Sequence, residues 1–269
     1  TLTARPETLR REVDALKDLS HTYIPQVYDF LVENGIVYTV MDFIEGESLD
    51  KPLKRGETFS QPQIIEWACE LLEALVYLHS RPPHGILHAD IKPSNIMVTP
   101  QGDIRLIDFN IALALGEEGA VRVGYSQGYA SPEHYGSDLT FRQDLPAAEE
   151  DPTVERTDQI RTVLMREEER SSSTSARRGM LLDVRSDLYS LGATLYHLIT
   201  GQRPARNARD VTPIPPGACS PSVAAIVSKA MSPEPEQRYQ SAAEMLYDLE
   251  HLHENDPRAR RRRRRIGVT

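Results

Sequence analysis

Between residues 6 and 21 apolar side chains fall at Leu9, Val13, Leu16 and Leu19, a three-to-four-residue spacing that predicts an amphipathic helix. The pattern then changes. "QVYDFLV" and "IVYTVMDF" are runs of β-branched and aromatic residues, joined by Glu33-Asn34-Gly35. Asn-Gly accepts the positive φ of a tight turn, so the pair reads as a β-hairpin. "FSQPQIIEWACELLEALVYLHS" returns to helical spacing. Ile64, Ala68, Leu71, Leu75 and Leu78 form one stripe, Ser60 is the cap, and Gln63 stands at the capping-box position.

Two short strand-like runs follow, "NIMVT" and "IRLID", turned by Gln101-Gly102-Asp103. From 136 to 178 the periodicity disappears. This stretch is charged and polar with few core residues, and is expected to be a disordered insertion with a transient helix around 160–169. Its "SSSTS", 171–175, beside Arg170, Arg177 and Arg178, reads either as a phosphate acceptor or as a plain flexible spacer. Order returns in "DVRSDLYSLGATLYHLITG", with Leu188, Leu191, Leu195 and Leu198 on one side and Gly201 as the stop. Helices are predicted over roughly 220–231 and 241–253. No internal repeat is visible.

Composition adds limits. The chain has 269 residues, 39% hydrophobic and 26% charged, ordinary for a globular protein. No apolar run approaches the ~20 residues of a membrane span. The first residues have no signal-peptide character and no initiator Met, as expected of a processed or truncated chain. Cys69 and Cys219 offer neither a disulfide framework nor metal spacing, and free thiols in a reducing cytosol are expected. Net charge is −9, although residues 258–265 hold seven arginines, leaving about −16 for the rest. An acidic body argues against general nucleic-acid binding, and no specific nucleic acid is expected. The arginine run is expected to be an extended, solvated tail that meets an anionic membrane surface, placing the chain in the cytoplasm at the inner face of the membrane.

One stretch concentrates chemistry. "HADIKPSN", 88–95, sets an Asp, a Lys two residues on and an Asn five residues on, just before the apolar "IMV". "IRLIDFN" then ends an apolar run in Asp108. "HADIKPSN", "DFN", "SPE" and "DVRSDLYSLG", in this order, resemble the protein kinase family, and the resemblance runs from residue 6 to about 253. The lysine of "DIKPSN" and the hydroxyl residue before "GYASPE" look like the Ser/Thr branch. "RSDLYSLGATLYHLITGQRP" looks like its bacterial members.

The resemblance implies an α+β, protein kinase-like fold. A mostly helical C-terminal lobe joins an incomplete small lobe of one helix and a hairpin. The implied units are 1–44 (partial small lobe and hinge), 45–135 (catalytic loop and activation segment), the insertion 136–178, the helices of 179–255, and the tail 256–269. The implied activity is transfer of the ATP γ-phosphate to Ser/Thr hydroxyls of a protein, with Mg²⁺. Asp90 would orient the attacking hydroxyl, and Lys92 would balance charge at the γ-phosphate. Asn95 and Asp108 would hold Mg²⁺ through oxygen. Met41 would guard the adenine pocket, with the backbone of Asp42 and Ile44 meeting the base edge. Ser126 would bridge Asp90 and Lys92. Glu12 matches the regulatory-helix glutamate, and His88 would shape the catalytic loop. Glu133 should pair with Arg238, and Asp187 should accept N–H groups from the catalytic loop.

The sequence departs from the family pattern in three places. The glycine-rich loop and the strand lysine that would pair with Glu12 are not within it. The usual "HRD" reads "HAD", with Ala89 in place of an arginine, and "DFG" reads "DFN", with Asn110. Two functions follow: a Ser/Thr kinase lobe, or a kinase-like binding module without strong catalysis. A small-molecule phosphotransferase is disfavoured, because "SPE" and the "DVRSDLYSLG" helix build a platform for protein substrates.

Overall fold

The computed structural model describes residues 16–33, 36–82, 85–108, 126–135 and 182–252. Most of the 6–21 helix, Glu12, Asn110, the 136–178 insertion and the 256–269 tail lie outside the described residues. Leu16 and Lys17, inside them, are helical.

The hairpin pairs β1 (Val27–Glu33) antiparallel with β2 (Ile36–Met41), with Glu33 opposite Ile36 across the Asn-Gly pair and an irregularity between Val27 and Asp29. A second sheet was only partly foreseen. Its strands β4 (Ile96–Val98) and β5 (Ile104–Leu106) match the predicted short runs. The two-residue β3 (Glu47–Ser48) adds to β4, and the short helix α1 (Asp50–Lys54) follows it. Neither has enough residues to show a period.

The long helix α2 (Gln61–His79) begins where the cap predicted: the Ser60 side chain accepts the Gln63 N–H at 3.4 Å. Its whole predicted stripe is buried. The polar side of α2 is used as well. Glu70 accepts the Ile104 N–H at 2.9 Å, and the Trp67 indole donates to the Gly102 carbonyl at 2.8 Å. The central helix thus holds the β4–β5 turn at its β5 end through two contacts.

Helix α3 (Val184–Thr200) ends at Gly201, whose φ of 69° is left-handed. Helices α4 (Pro221–Ala230) and α5 (Ala242–Glu250) start at Ser220 and Ser241, which cap them through Val223 and Glu244. Helix α2 packs on α3 and α5, and α3 packs on α4. α3 and α4 approach so closely that a Cβ on Gly192 would stand 2.9 Å from that of Ala230. The result is one apolar core, with Ile91, Ile96, Ile104 and Leu106 meeting the leucines of α2 and α3. The catalytic-loop sequence lies along its edge.

Candidate active site

The local sequence of 88–95 explains its shape. Ile91 and Pro93 are buried, while Asp90 and Lys92 between and before them are partly exposed. Lys92 is fully extended (φ −161°, ψ 163°). In extended backbone alternate side chains share a side, so anchoring Ile91 in the core sets Asp90 and Lys92 together on the other. Pro93 then opens a single 3₁₀ turn, Pro93–Asn95, closed by the Asn95 N–H on the Lys92 carbonyl at 3.0 Å. That turn carries Asn95 back, and its Nδ2 donates to the Asp90 carbonyl (2.9 Å) and to Asp90 Oδ2 (3.1 Å).

Ser126 closes the cluster from a remote segment. Its hydroxyl donates to Asp90 Oδ1 at 2.8 Å and accepts from Lys92 Nζ at 2.8 Å. Lys92 Nζ is also 2.9 Å from Asp90 Oδ2. Asp90, Lys92, Asn95 and Ser126 therefore form one bonded unit, with Asn95 buried beneath the partly exposed other three.

Asp108 is placed by its neighbour. The Ile107 N–H donates to the Asn95 carbonyl at 2.9 Å, and the Ile107 carbonyl is 3.0 Å from His88 Nε2. Asp108 follows with a left-handed φ of 58°, its side chain exposed. His88 is fully buried, and burial lowers its pKa. The neutral ring accepts the Asp90 N–H at Nδ1 (3.3 Å), so Nε2 carries the proton given to Ile107. His88 thus ties the loop of Asp90 to the strand of Asp108.

Behind the loop stands Asp187. It accepts the N–H groups of His88 (2.9 Å) and Ala89 (2.8 Å), and pairs with His79 Nε2 at 2.9 Å. Burial pushes its carboxyl up, but His79 and the backbone donors outweigh this and hold it below the usual range. Ala89 sits at φ 61°, a left-handed conformation costly for alanine, held by that bond to Asp187. Glu133 and Arg238 form a buried bidentate pair at 2.6 and 2.7 Å. Burial raises the Glu133 pKa, and Arg238 more than reverses this. Arg238 also donates to the carbonyls of Ser232 and Pro233.

A separate open groove of about 520 Å³ runs along the end of β2, lined by Met41, Asp42, Phe43, Ile44, Met97 and Ile107 among others. Asp42 fixes its edge. Its N–H donates to the Gln26 carbonyl, while its carboxylate accepts from Gln26 N–H and the Tyr28 hydroxyl. Met97 and Ile107 bring the groove alongside the strands that carry Asn95 and Asp108. The roles of His79, Tyr28 and Gln26 were not legible in sequence. His79 is separated from its partner by 108 residues, and its only signal is a histidine at the end of an amphipathic helix.

The fold is that of the protein kinase family. A model of the protein kinase domain matches residues 2–144, and the chain belongs to that family. Among its relatives are the probable serine/threonine-protein kinase SCO3848 of Streptomyces coelicolor, 31% identical over 92% of this chain and 33% of that protein, and the serine/threonine-protein kinase PknB of Mycolicibacterium smegmatis, 30% identical over 91% and 36%. The chain therefore spans about a third of the length of these curated relatives. In fold it is similar to the crystal structure of the Mycobacterium tuberculosis PknI kinase domain, with a TM-score of 0.58 at 20% identity, covering 93% of this chain and 81% of that one. Protein kinases use ATP and Mg²⁺. Among the described residues no helix is long and apolar enough to cross a membrane.

Proposed function

We propose that this chain is the catalytic lobe of a Ser/Thr protein kinase, moving the γ-phosphoryl group of ATP to a protein hydroxyl. The observation that carries the proposal is the closed unit of Asp90, Lys92, Asn95 and Ser126. A loop that served only packing would have no reason to gather an ammonium, a hydroxyl and a buried amide around one partly exposed carboxylate.

Asp90 is the residue that would orient the incoming hydroxyl and accept its proton, with Oδ1 held by Ser126 and Oδ2 by Asn95 and Lys92. Lys92 supplies fixed positive charge beside it. Asn95 directs its amide nitrogen to Asp90, so the atom it would offer a metal is Oδ1, which here takes only a long 3.4 Å bond from the Ser94 hydroxyl. With the exposed carboxylate of Asp108 this makes an oxygen donor set, which suits Mg²⁺. The bound ion would neutralise phosphate charge. The groove at Met41, Asp42 and Ile44 would take the base. The Asp42 N–H is already held by Gln26, so a base edge there meets the Asp42 carbonyl.

The test is calorimetric titration with Mg-ATP together with radiolabel transfer to a generic Ser/Thr substrate. Mg-dependent binding weakened by Asp108→Asn, with transfer abolished by Asp90→Asn, is the expected result. Mg-independent binding, or transfer unaffected by Asp90→Asn, would reject the assignment.

A further inference from the structure

Arg203, Arg206 and Arg209 follow α3 at three-residue spacing. Arg209 is engaged by Glu234 at 3.3 Å. Arg203 and Arg206 are exposed, and among the described residues neither has a carboxylate partner. The position of Arg203 relative to the active site is set by the turn after Ser126, and Arg206 follows it by three residues. The Ser126 carbonyl accepts the N–H groups of Tyr129 and Ala130 at 3.1 and 3.0 Å. The turn presses Gly128 onto the loop after α3: a Cβ there would stand 2.7 Å from the Pro204 carbonyl oxygen and 3.2 Å from Arg203 Cγ. Gly128 also has φ 86°, so a side chain is excluded twice over.

Tyr129 is buried, and its hydroxyl pairs with His197 Nδ1 at 2.6 Å. The guanidinium carbon of Arg203 lies 5.6 Å from the Tyr129 ring centroid. Burial and the Arg203 charge push His197 down to about 4, so at neutral pH the positive charge here belongs to Arg203 and not to the imidazole. The acid whose field reaches Tyr129 is Asp50, and Lys54 and Ser48 already engage it. A rigid, hydrogen-bonded floor thus carries an exposed, uncompensated cation.

The geometry points to Arg203 and Arg206 as the recognition site for an anionic side chain, carboxylate or phosphate, on the peptide offered to Asp90. The inference rests on the kinase reading above and names the class of its protein substrate. Gly128 lies two residues beyond Ser126, whose hydroxyl touches Asp90. Because both residues belong to one turn, Arg203 stands within reach of peptide residues that flank the acceptor hydroxyl. Exposed charge pairs contribute modestly to affinity and more to selectivity, so a preference of roughly three- to tenfold is expected.

The experiment measures binding apart from catalysis. Fluorescent peptides carry Ala at the acceptor position and Glu, Lys or phosphoserine at the flanking three positions. Anisotropy follows their binding to the full 269-residue chain with Mg²⁺ and a non-hydrolysable ATP analogue, at low and physiological salt. The acidic peptide should bind roughly three- to tenfold tighter than the basic one. Arg203→Glu with Arg206→Glu should reverse the order, Arg203→Lys should keep most of it, and unchanged melting temperatures show that the fold is intact. Comparable binding of the Glu and phosphoserine peptides assigns carboxylate substrates. Binding of the phosphoserine peptide alone assigns previously phosphorylated ones. Equal binding of acidic and basic peptides, or a preference that survives the double reversal, overturns the proposal. Phosphotransfer is read separately on Ser peptides. An Arg203-dependent preference without any transfer would reject the kinase reading and leave this site standing.

Discussion

The stretch His88–Ala89–Asp90 brings two carboxylates together, Asp187 of α3 holding its first two residues and Asp90 being its third, and the protein treats them in opposite ways. Asp187 has a side chain 1% exposed and is satisfied by the N–H groups of His88 and Ala89 and by His79. Asp90, the next residue along, has a side chain 20% exposed and is satisfied mainly by side chains: Ser126, Asn95 and Lys92. Backbone donors cannot swing away, so Asp187 makes a fixed support. Side-chain donors can rearrange, so on the proposed function Asp90 would exchange a partner for an incoming hydroxyl. The same difference separates Glu133–Arg238, buried and bidentate, from Lys92–Asp90 at the surface. Buried charge builds the frame, and partly exposed charge is what the proposed chemistry would use.

The largest effect that could break this division is loss of a frame partner. Arg238→Ala leaves Glu133 buried without its cation, and removing one member of a buried pair costs ~3–5 kcal/mol. Urea unfolding should show that loss. A double-mutant cycle with Glu133→Ala should show strong coupling. If Arg238→Ala melts like the wild-type chain, the pair is not part of the frame.

The next effect should fall on turnover alone. Asp90→Asn keeps an oxygen for Ser126 but removes the charge and the base. Loss of such an electrostatic group typically lowers rate by ~10²–10³. Unfolding midpoints should stay within ~0.5 kcal/mol of wild type, as for changes outside the packed core. Steady-state phosphotransfer and denaturant melts on one preparation decide it. A large stability loss with Asp90→Asn would erase the contrast with Asp187.

Acid should strain the frame in two stages. His88, His134 and His197 are held neutral by burial, with pKa values below the usual one. For a group lowered in the folded state, stability is full above the unfolded pKa and is lost as pH falls towards the folded one. The histidine contribution should therefore fade from about pH 6.5 downwards. Glu133 and Asp187, also lowered, should contribute down to the ordinary carboxylate range and fail below it. Melting temperature against pH should fall below about 6.5 and more steeply below about 4, with His197→Gln flattening the upper stage. A curve flat from pH 7 to 5 would contradict neutral burial.

Much of the frame was legible because its elements are periodic. The stripe and serine cap of α2, the helices α4 and α5, the Gly201 stop and the short strands β4 and β5 all follow from local spacing. β3 and α1 were not, since two and five residues cannot show a period and β3 exists only because β4 offers it an edge. In the site, the interval between Asp90, Lys92 and Asn95 marks one loop, and alternation around buried Ile91 accounts for its geometry. The contacts of His79 with Asp187, Tyr129 with His197 and Gly128 with Arg203 join segments far apart in the chain. No local pattern announces them. Only packing does.

The smallest effect would sharpen the comparison most. Ser126 joins the two halves of the reactive unit, yet Lys92 Nζ already reaches Asp90 Oδ2 directly at 2.9 Å. Removing the hydroxyl therefore leaves a contact in place and takes away one bridge from each partner. A typical hydrogen bond contributes ~1 ± 0.5 kcal/mol, so Ser126→Ala should slow transfer by only about three- to tenfold. Ser126→Thr keeps the hydroxyl and should sit near wild type. Neither should move the unfolding midpoint by more than a few tenths of a kcal/mol, because the 126 side chain is only partly buried. Measuring kcat for Ser126→Ala, Asp90→Asn and the double variant tests whether Ser126 acts through Asp90. If it does, the double variant is no slower than Asp90→Asn. If the two losses multiply, Ser126 has a separate role, and the side-chain network around Asp90 is not the single working unit inferred from its bonds.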